Sequence, residues 1–182
     1  MKETKVELVK LKNEDREQFI LDNQRSFKFG ALEEFGERDS HLDNDGEIIS
    51  RKTIEHCIDQ ENNHTYRITL EGTNVGGVIV SIDKETQHNS LEILFVSPDA
   101  HSKGIGFGAW KEIEKLYPET KVWETCTPYF EKRNIHFYLN KCGFSIVEFF
   151  CEYNVDKNVP QEDRNSEGPD EMFRFIKVMK ND

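Results

Sequence analysis

Apolar positions recur along this chain in two periods, one of two residues and one near 3.6, and the chain switches between them often. Val6, Leu8 and Val9 predict a short first strand. From about Asn13 to Phe29 the pattern is helical and carries Phe19, Ile20 and Phe27. The segment from Gly30 to Ile49 has little periodicity. Ser50 then stands where a helix cap is expected, ahead of a second helix with Ile54, Cys57 and Ile58 on one face. Tyr66, Ile68 and Leu70 alternate with polar neighbours, as in a half-buried strand. Gly72-Thr73-Asn74 turns the chain, and Val75 to Ile82 returns as the second arm of a hairpin. After a polar loop, Leu91 to Val96 is an apolar strand broken by one charge, Glu92.

A helix is expected from about Gly106 to Tyr117, with Trp110, Ile113, Leu116 and Tyr117 as its apolar stripe and Pro118 as its stop. Lys121 to Thr125 predicts another short strand. Asn134 to Lys141 is helical, because Ile135, Tyr138, Leu139 and Cys142 share one face, and Gly143 stands where a left-handed cap belongs. Phe144 to Tyr153 and Met172 to Met179 are strands around a polar excursion from Asn154 to Asp170. Strands interspersed with helices, with hairpins at both ends, predict a mixed sheet in a layered α/β (α+β) domain. No repeat or linker divides the chain, so residues 1–182 are expected to be a single domain.

Composition narrows the function classes. An apolar fraction of 36% with 13 phenylalanines supports a globular core, and 35 acidic against 24 basic side chains give a formal charge of -11. That field disfavours nucleic acid and anionic membrane as partners and suits a neutral or cationic substrate. Met1 to Lys10 is charged and alternating, and no run reaches the ~18 apolar residues of a membrane span, so a cytoplasmic protein is expected. Cys57, Cys126, Cys142 and Cys151 form no CxxC pair and have no histidine at zinc-site spacing; reduced thiols and no metal are expected.

The most informative stretch is Val96-Ser97-Pro98-Asp99-Ala100-His101-Ser102-Lys103-Gly104-Ile105-Gly106-Phe107-Gly108, which follows a predicted strand and opens a helix. Small residues let the backbone approach a ligand, several amides converge, and the positive end of the helix adds to their field. The expected ligand is a pyrophosphate, with Lys103 supplementing charge from the rim. The pattern is not a Walker loop, and it fails as a dinucleotide fingerprint because Ala109 stands where the third glycine belongs.

The stretch Leu91 to Phe144 resembles the GNAT superfamily of acyl-coenzyme A-dependent N-acetyltransferases. The central motif of that family, Gln/Arg-x-x-Gly-x-Gly/Ala between a strand and a helix, is matched by His101-Ser102-Lys103-Gly104-Ile105-Gly106, with His101 in the Gln/Arg place. Its second motif is matched by Glu131 to Tyr138, followed by Gly143-Phe144. Glu131 and Asn134 depart from the usual asparagine and alanine, while Phe137-Tyr138 and Gly143-Phe144 keep the family spacing. The resemblance implies a GNAT-like mixed, mainly antiparallel central sheet flanked by helices, with a splayed parallel strand pair formed by Leu91 to Val96 and Lys121 to Thr125. It implies acetyl-coenzyme A as donor. The pantetheine arm would meet backbone groups at Phe95 and Val96, and the amides from Ser102 through Gly104, Ile105, Gly106 and Phe107 to Gly108 would hold the pyrophosphate. His101, Asn134 and Phe137 complete the implied cofactor set.

Acetyl transfer requires an amine that loses a proton and a leaving thiolate that gains one. Tyr138 is the expected acid toward the coenzyme A sulfur, the place at which the family commonly has a tyrosine; its other reading is aromatic packing. Glu92 is the expected base, since a carboxylate in an apolar strand is costly unless it is solvated, paired or functional, and partial burial would raise its pKa. Its other reading is an edge carboxylate in solvent. Glu124 is a reserve base or a ligand for a cationic group. A thiol mechanism through Cys126 has no locally spaced histidine behind it. Glu33 and Glu34 open the acidic segment up to Glu47, where carboxylates would favour a polyamine, an aminoglycoside-like cation or a lysine-bearing peptide; an acidic solvent loop is the alternative. The expected partner is a small-molecule or peptide amine, with a homodimer left open. The competing reading is a non-catalytic acyl-coenzyme A-binding or regulatory module on the same fold.

Overall fold

The computed structural model describes residues 5–35, 46–101, 104–159 and 171–180. They divide into two compact units: residues 1–83 with 91–118, and residues 84–90 with 119–182.

In the first unit, β1 (Val6–Lys10) leads through a 3-10 turn at Asn13–Asp15 into α1 (Arg16–Phe35), which runs six residues past the end its apolar spacing predicts. α2 (Arg51–Asp59) begins as expected at Ser50, whose side chain accepts a hydrogen bond from the Thr53 amide. β2 (Asn63–Leu70) and β3 (Thr73–Ser81) form the hairpin, and β1 adds antiparallel to β2 from Val6↔Leu70 to Lys10↔Tyr66. The turn lies one residue earlier than expected. Glu71 and Gly72 both have positive φ, 50° and 79°, the signature of a two-residue mirror-image turn matched to strand twist. β4 (His88–Val96) follows β3 in the order β1-β2-β3-β4, and α3 (Ile105–Leu116) closes the unit.

Its core gathers Phe19 and Ile20 of α1, Ile54 of α2, Ile79 of β3, and Ile93 and Phe95 of β4. Phe19 meets Phe95 edge-on at 5.2 Å, worth about 0.5–1.5 kcal/mol beyond burial. Gly77 makes this approach feasible: a Cβ there would stand 2.4 Å from the Phe19 ring and 2.5 Å from that of Phe95. The β2 faces differ from expectation, since Thr65, Arg67 and Thr69 are buried while Tyr66 and Leu70 are only half-buried. The reason is Arg67, which binds Asp15 through Nε (2.5 Å) and Nη2 (3.0 Å) and Asp22 through Nη1 (2.8 Å), with its guanidinium on the Phe19 ring. A paired guanidinium can occupy a face that an isolated charge could not. The α3 stripe is also shifted. Ile105, Ala109, Trp110 and Ile113 are buried, Leu116 is exposed, and the Tyr117 hydroxyl bonds His64 Nδ1 (2.7 Å) and the Tyr66 hydroxyl (2.6 Å).

The second unit takes the first three residues of β4, pairs them parallel with β5 (Val122–Pro128), and continues antiparallel through β7 (Met172–Val178) to β6 (Ser145–Phe150). The parallel ladder spans only His88↔Val122 to Ser90↔Glu124. Here α4 (Lys132–His136) runs into a π-helical stretch at Phe137–Cys142, capped by Gly143 at φ 81°. Trp123, Tyr138, Phe144 and Phe175 form its aromatic core. The strands make the expected mixed, mainly antiparallel α/β fold.

Candidate active site

The glycine turn lies where the sequence placed it. β4 ends at Val96, Pro98–Ala100 make one 3-10 turn, and Gly104 caps α3 in the left-handed region at φ 71°. A Cβ on Gly104 would meet nothing within 4 Å, so the residue is needed for its backbone angle and not for space. The Gly108 amide donates to the Gly104 carbonyl at 2.9 Å and is therefore part of the helix. The amides of Gly104, Ile105, Gly106 and Phe107 are the four that an α-helix start leaves for an external acceptor, beside the positive end of the dipole. This cradle fits a phosphate group. Ser102 and Lys103 lie outside the described residues.

His101 is occupied with the turn itself. Its Nε2 stands 2.9 Å from the Val96 carbonyl, to which it donates, and its ring meets Phe29 edge-on at 5.6 Å. It braces the corner between β4 and α3 from inside. The Phe95 side chain is buried in the core, and its carbonyl faces Gly76, where a Cβ would come within 2.3 Å.

Glu92 is exposed, between buried Leu91 and Ile93, as in its alternative reading of a carboxylate that projects toward solvent. It stands in the wall of a cavity of about 410 Å³, together with His56, Cys57, Gln60, Glu61, Asn62, Asn63 and Ser81. Sequence reasoning missed this wall, because residues 60–64 read as the polar tail of a helix and Ser81 as a strand end. Burial, with the Glu92 charge beside it, pushes the Cys57 thiol up to about 11, so it remains protonated.

In the second unit Tyr138 is buried, 8% exposed, among the rings of Phe137 (5.4 Å), Phe175 (5.5 Å) and Phe144 (5.6 Å). Its hydroxyl shares a hydrogen bond with Thr125, and burial pushes the phenol well above its ordinary pKa. It is therefore a neutral donor through the physiological range. The π-helical stretch that begins one residue earlier is a form of helix often found at functional positions. Asn134 is exposed and its Nδ2 reaches Thr127 Oγ1 and Glu131 Oε2, both at 3.4 Å.

Glu124 is committed to other side chains. Its Oε2 accepts from Arg174 Nη1 and His88 Nε2, each at 3.1 Å, while Arg174 Nε donates to Glu148 at 3.0 Å. Nothing in the sequence tied His88 or Arg174 to this strand. Glu33 is exposed on α1, and the Glu34 side chain and most of the acidic segment lie outside the described residues, as does most of the loop from Asn154 to Asp170. Cys126 is exposed and all four cysteines are free thiols. Among the described residues no group of three or more His, Cys, Asp or Glu side chains could hold a metal ion, and no helix is long and apolar enough to cross a membrane.

Comparison with known proteins bears on the family and the fold. The acetyltransferase (GNAT) family model matches residues 19–144. A Bacillus subtilis (strain 168) relative described as uncharacterized protein YrkN is 43% identical over 182 residues, covering 98% of this chain and 96% of the relative. Among solved structures, the ribosomal-protein-S18-alanine N-acetyltransferase from Escherichia coli superposes with a TM-score of 0.67 at 13% identity, over 97% of this chain and 96% of that one. The spermidine N-acetyltransferase from Vibrio cholerae, in complex with CoA and spermine, gives 0.64 at 13% identity over 97% and 96%. At such identities these two structures establish a shared fold.

Proposed function

The chain belongs to the acetyltransferase (GNAT) family, and on that premise we propose that it transfers the acetyl group of acetyl-coenzyme A to a primary amine by direct attack, both substrates being bound together. The observation that carries the donor side is Gly104, left-handed at the head of α3, with four helix-start amides beside it. Those amides, with Ser102 and Lys103, would hold the pyrophosphate, the backbone at Phe95 and Val96 the pantetheine arm, and Asn134 and Phe137 further parts of the donor. Acetyl-coenzyme A supplies an acyl group already activated as a thioester.

The chain's own residues would manage the protons. Glu92, directly or through a water, takes the proton that the attacking ammonium must lose; an exposed carboxylate can pass it on to solvent. The amine nitrogen then bonds the acyl carbon, the carbon–sulfur bond breaks, the sulfur takes its proton from the Tyr138 phenol, which burial keeps neutral, and the second proton shed by the nitrogen as the amide forms is balanced, through solvent, by the one that restores the phenol. Residues 1–182 act as one cytoplasmic acetyltransferase domain in this reading. The two solved relatives are named for an alanine of a ribosomal protein and for spermidine, so the fold does not select the acceptor.

A panel of amines, read by release of free coenzyme A from wild type and Tyr138→Phe, tests the proposal. Turnover on at least one amine, sharply slowed by the substitution with donor affinity kept, is expected. Donor binding without turnover on any amine would instead support a non-catalytic module.

A further inference from the structure

We propose that the cavity beside Glu92 is the acceptor pocket and that it selects short aliphatic amines carrying a second positive charge; this deepens the acetyltransferase reading and rests on it. The cavity lies wholly within the first unit, built from the last turn of α2, the head of β2, the end of β3 and the middle of β4. Its volume of about 410 Å³ falls in the range of small-molecule sites.

Three features of the wall point to a cation. Glu61 and Glu92 place two carboxylates on it, and among the described residues no lysine or arginine lines it. α2 presents its C-terminal, negative end there. The α2 end is held in place by Asn63, whose Nδ2 donates to the Cys57 carbonyl at 2.8 Å, leaving the side-chain oxygen of Asn63 as an acceptor. Cys57 is the one weakly polar side chain among the described residues of the wall, and as a protonated thiol it adds no charge. A hydrocarbon tail would gain little from such a lining, whereas a second ammonium would find Glu61 while the reacting amine is at Glu92. The overall charge of -11 adds long-range attraction of the same sign.

The full-length protein with saturating acetyl-coenzyme A should turn over 1,4-diaminobutane with a kcat/KM at least about tenfold above that of butylamine, which has the same carbon chain and one charge. Glu61→Gln should shrink that ratio by about five- to tenfold, the scale of one partly solvated charge pair, while Glu119→Gln on the exposed surface should leave it unchanged. Calorimetric titration of 1,4-diaminobutane into the coenzyme A complex should show binding that Glu61→Gln weakens by the same factor. Equal turnover of the two amines with a ratio indifferent to Glu61, or faster turnover of an alanine tripeptide than of the diamine, overturns the pocket assignment and leaves the acetyltransferase standing. If no amine is turned over, the acetyltransferase reading fails, and calorimetry alone then decides the pocket: Glu61-dependent diamine binding supports it and absence of binding overturns it.

Discussion

Glu92 and Glu124 stand at two ends of what a protein can do with a carboxylate. Glu92 projects from β4 into the wall of a polar cavity, exposed, with a protonated thiol beside it. Glu124, on β5, receives a guanidinium and an imidazole on one oxygen, and that guanidinium is shared with Glu148. A carboxylate that must accept a proton loses its ion pair in doing so, and the loss opposes the uptake. The paired geometry of Glu124 therefore suits a fixed tie among β4, β5, β6 and β7 of the second unit, while the exposed position of Glu92 suits proton exchange with solvent. The side chains around each carboxylate, more than its own strand, assign its role.

The largest effect is expected at the first carboxylate. Glu92→Gln should lower kcat/KM by about 10²–10³-fold, the range of a lost general base, with the fold intact by circular dichroism. Tyr138→Phe should lower kcat by about 10–100-fold and change the acetyl-coenzyme A dissociation constant by less than about threefold, since the phenyl ring still fills the space among Phe137, Phe144 and Phe175. Gly104→Val should weaken donor binding about tenfold in a calorimetric titration, because a β-branched residue resists φ 71° at a cost of about 1–2 kcal/mol. Glu124→Gln should instead appear in denaturation, as a stability loss of about 1 kcal/mol, with turnover within a fewfold of wild type, because the network is partly solvent-exposed.

The pH responses follow the same division. Tyr138 is held neutral by burial, so its phenol should stay protonated and turnover should not decline between pH 8 and 10 through loss of this acid. With Cys57 pushed up to about 11, only about one in a thousand of these thiols ionises at pH 8, so a thiol reagent should label exposed Cys126 well before Cys57. The folded-state value is raised, so the stability tied to Cys57 is complete below about pH 8.5 and declines as pH climbs toward about 11; Cys57→Ala should remove that part of the alkaline loss.

Much of the frame was legible because local patterns dominate it. The Ser50 cap, the Gly143 cap and the Gly104 turn each depend on residues within a few positions of one another. What could not be read depends on distant partners. Arg67 is buried because Asp15 and Asp22, 52 and 45 residues away, neutralise it, and no alternation rule anticipates a guanidinium in the packed face of β2. Glu124 resembled Glu92 until Arg174, 50 residues on, was seen to hold it. The cavity wall was illegible for the same reason: the α2 end, the head of β2, Ser81 and Glu92 are brought together only by sheet register. His101 is a milder case, a local contact to Val96 that its residue type alone did not announce.

The central claim, that Glu92 serves the transfer while Glu124 serves the fold, is tested most directly by measuring coenzyme A release with 1,4-diaminobutane for wild type, Glu92→Gln and Glu124→Gln under one set of conditions. The account predicts turnover by wild type, a loss of about 10²-fold or more for Glu92→Gln, and a change of no more than a fewfold for Glu124→Gln. Full turnover by Glu92→Gln, with loss confined to Glu124→Gln, would contradict it.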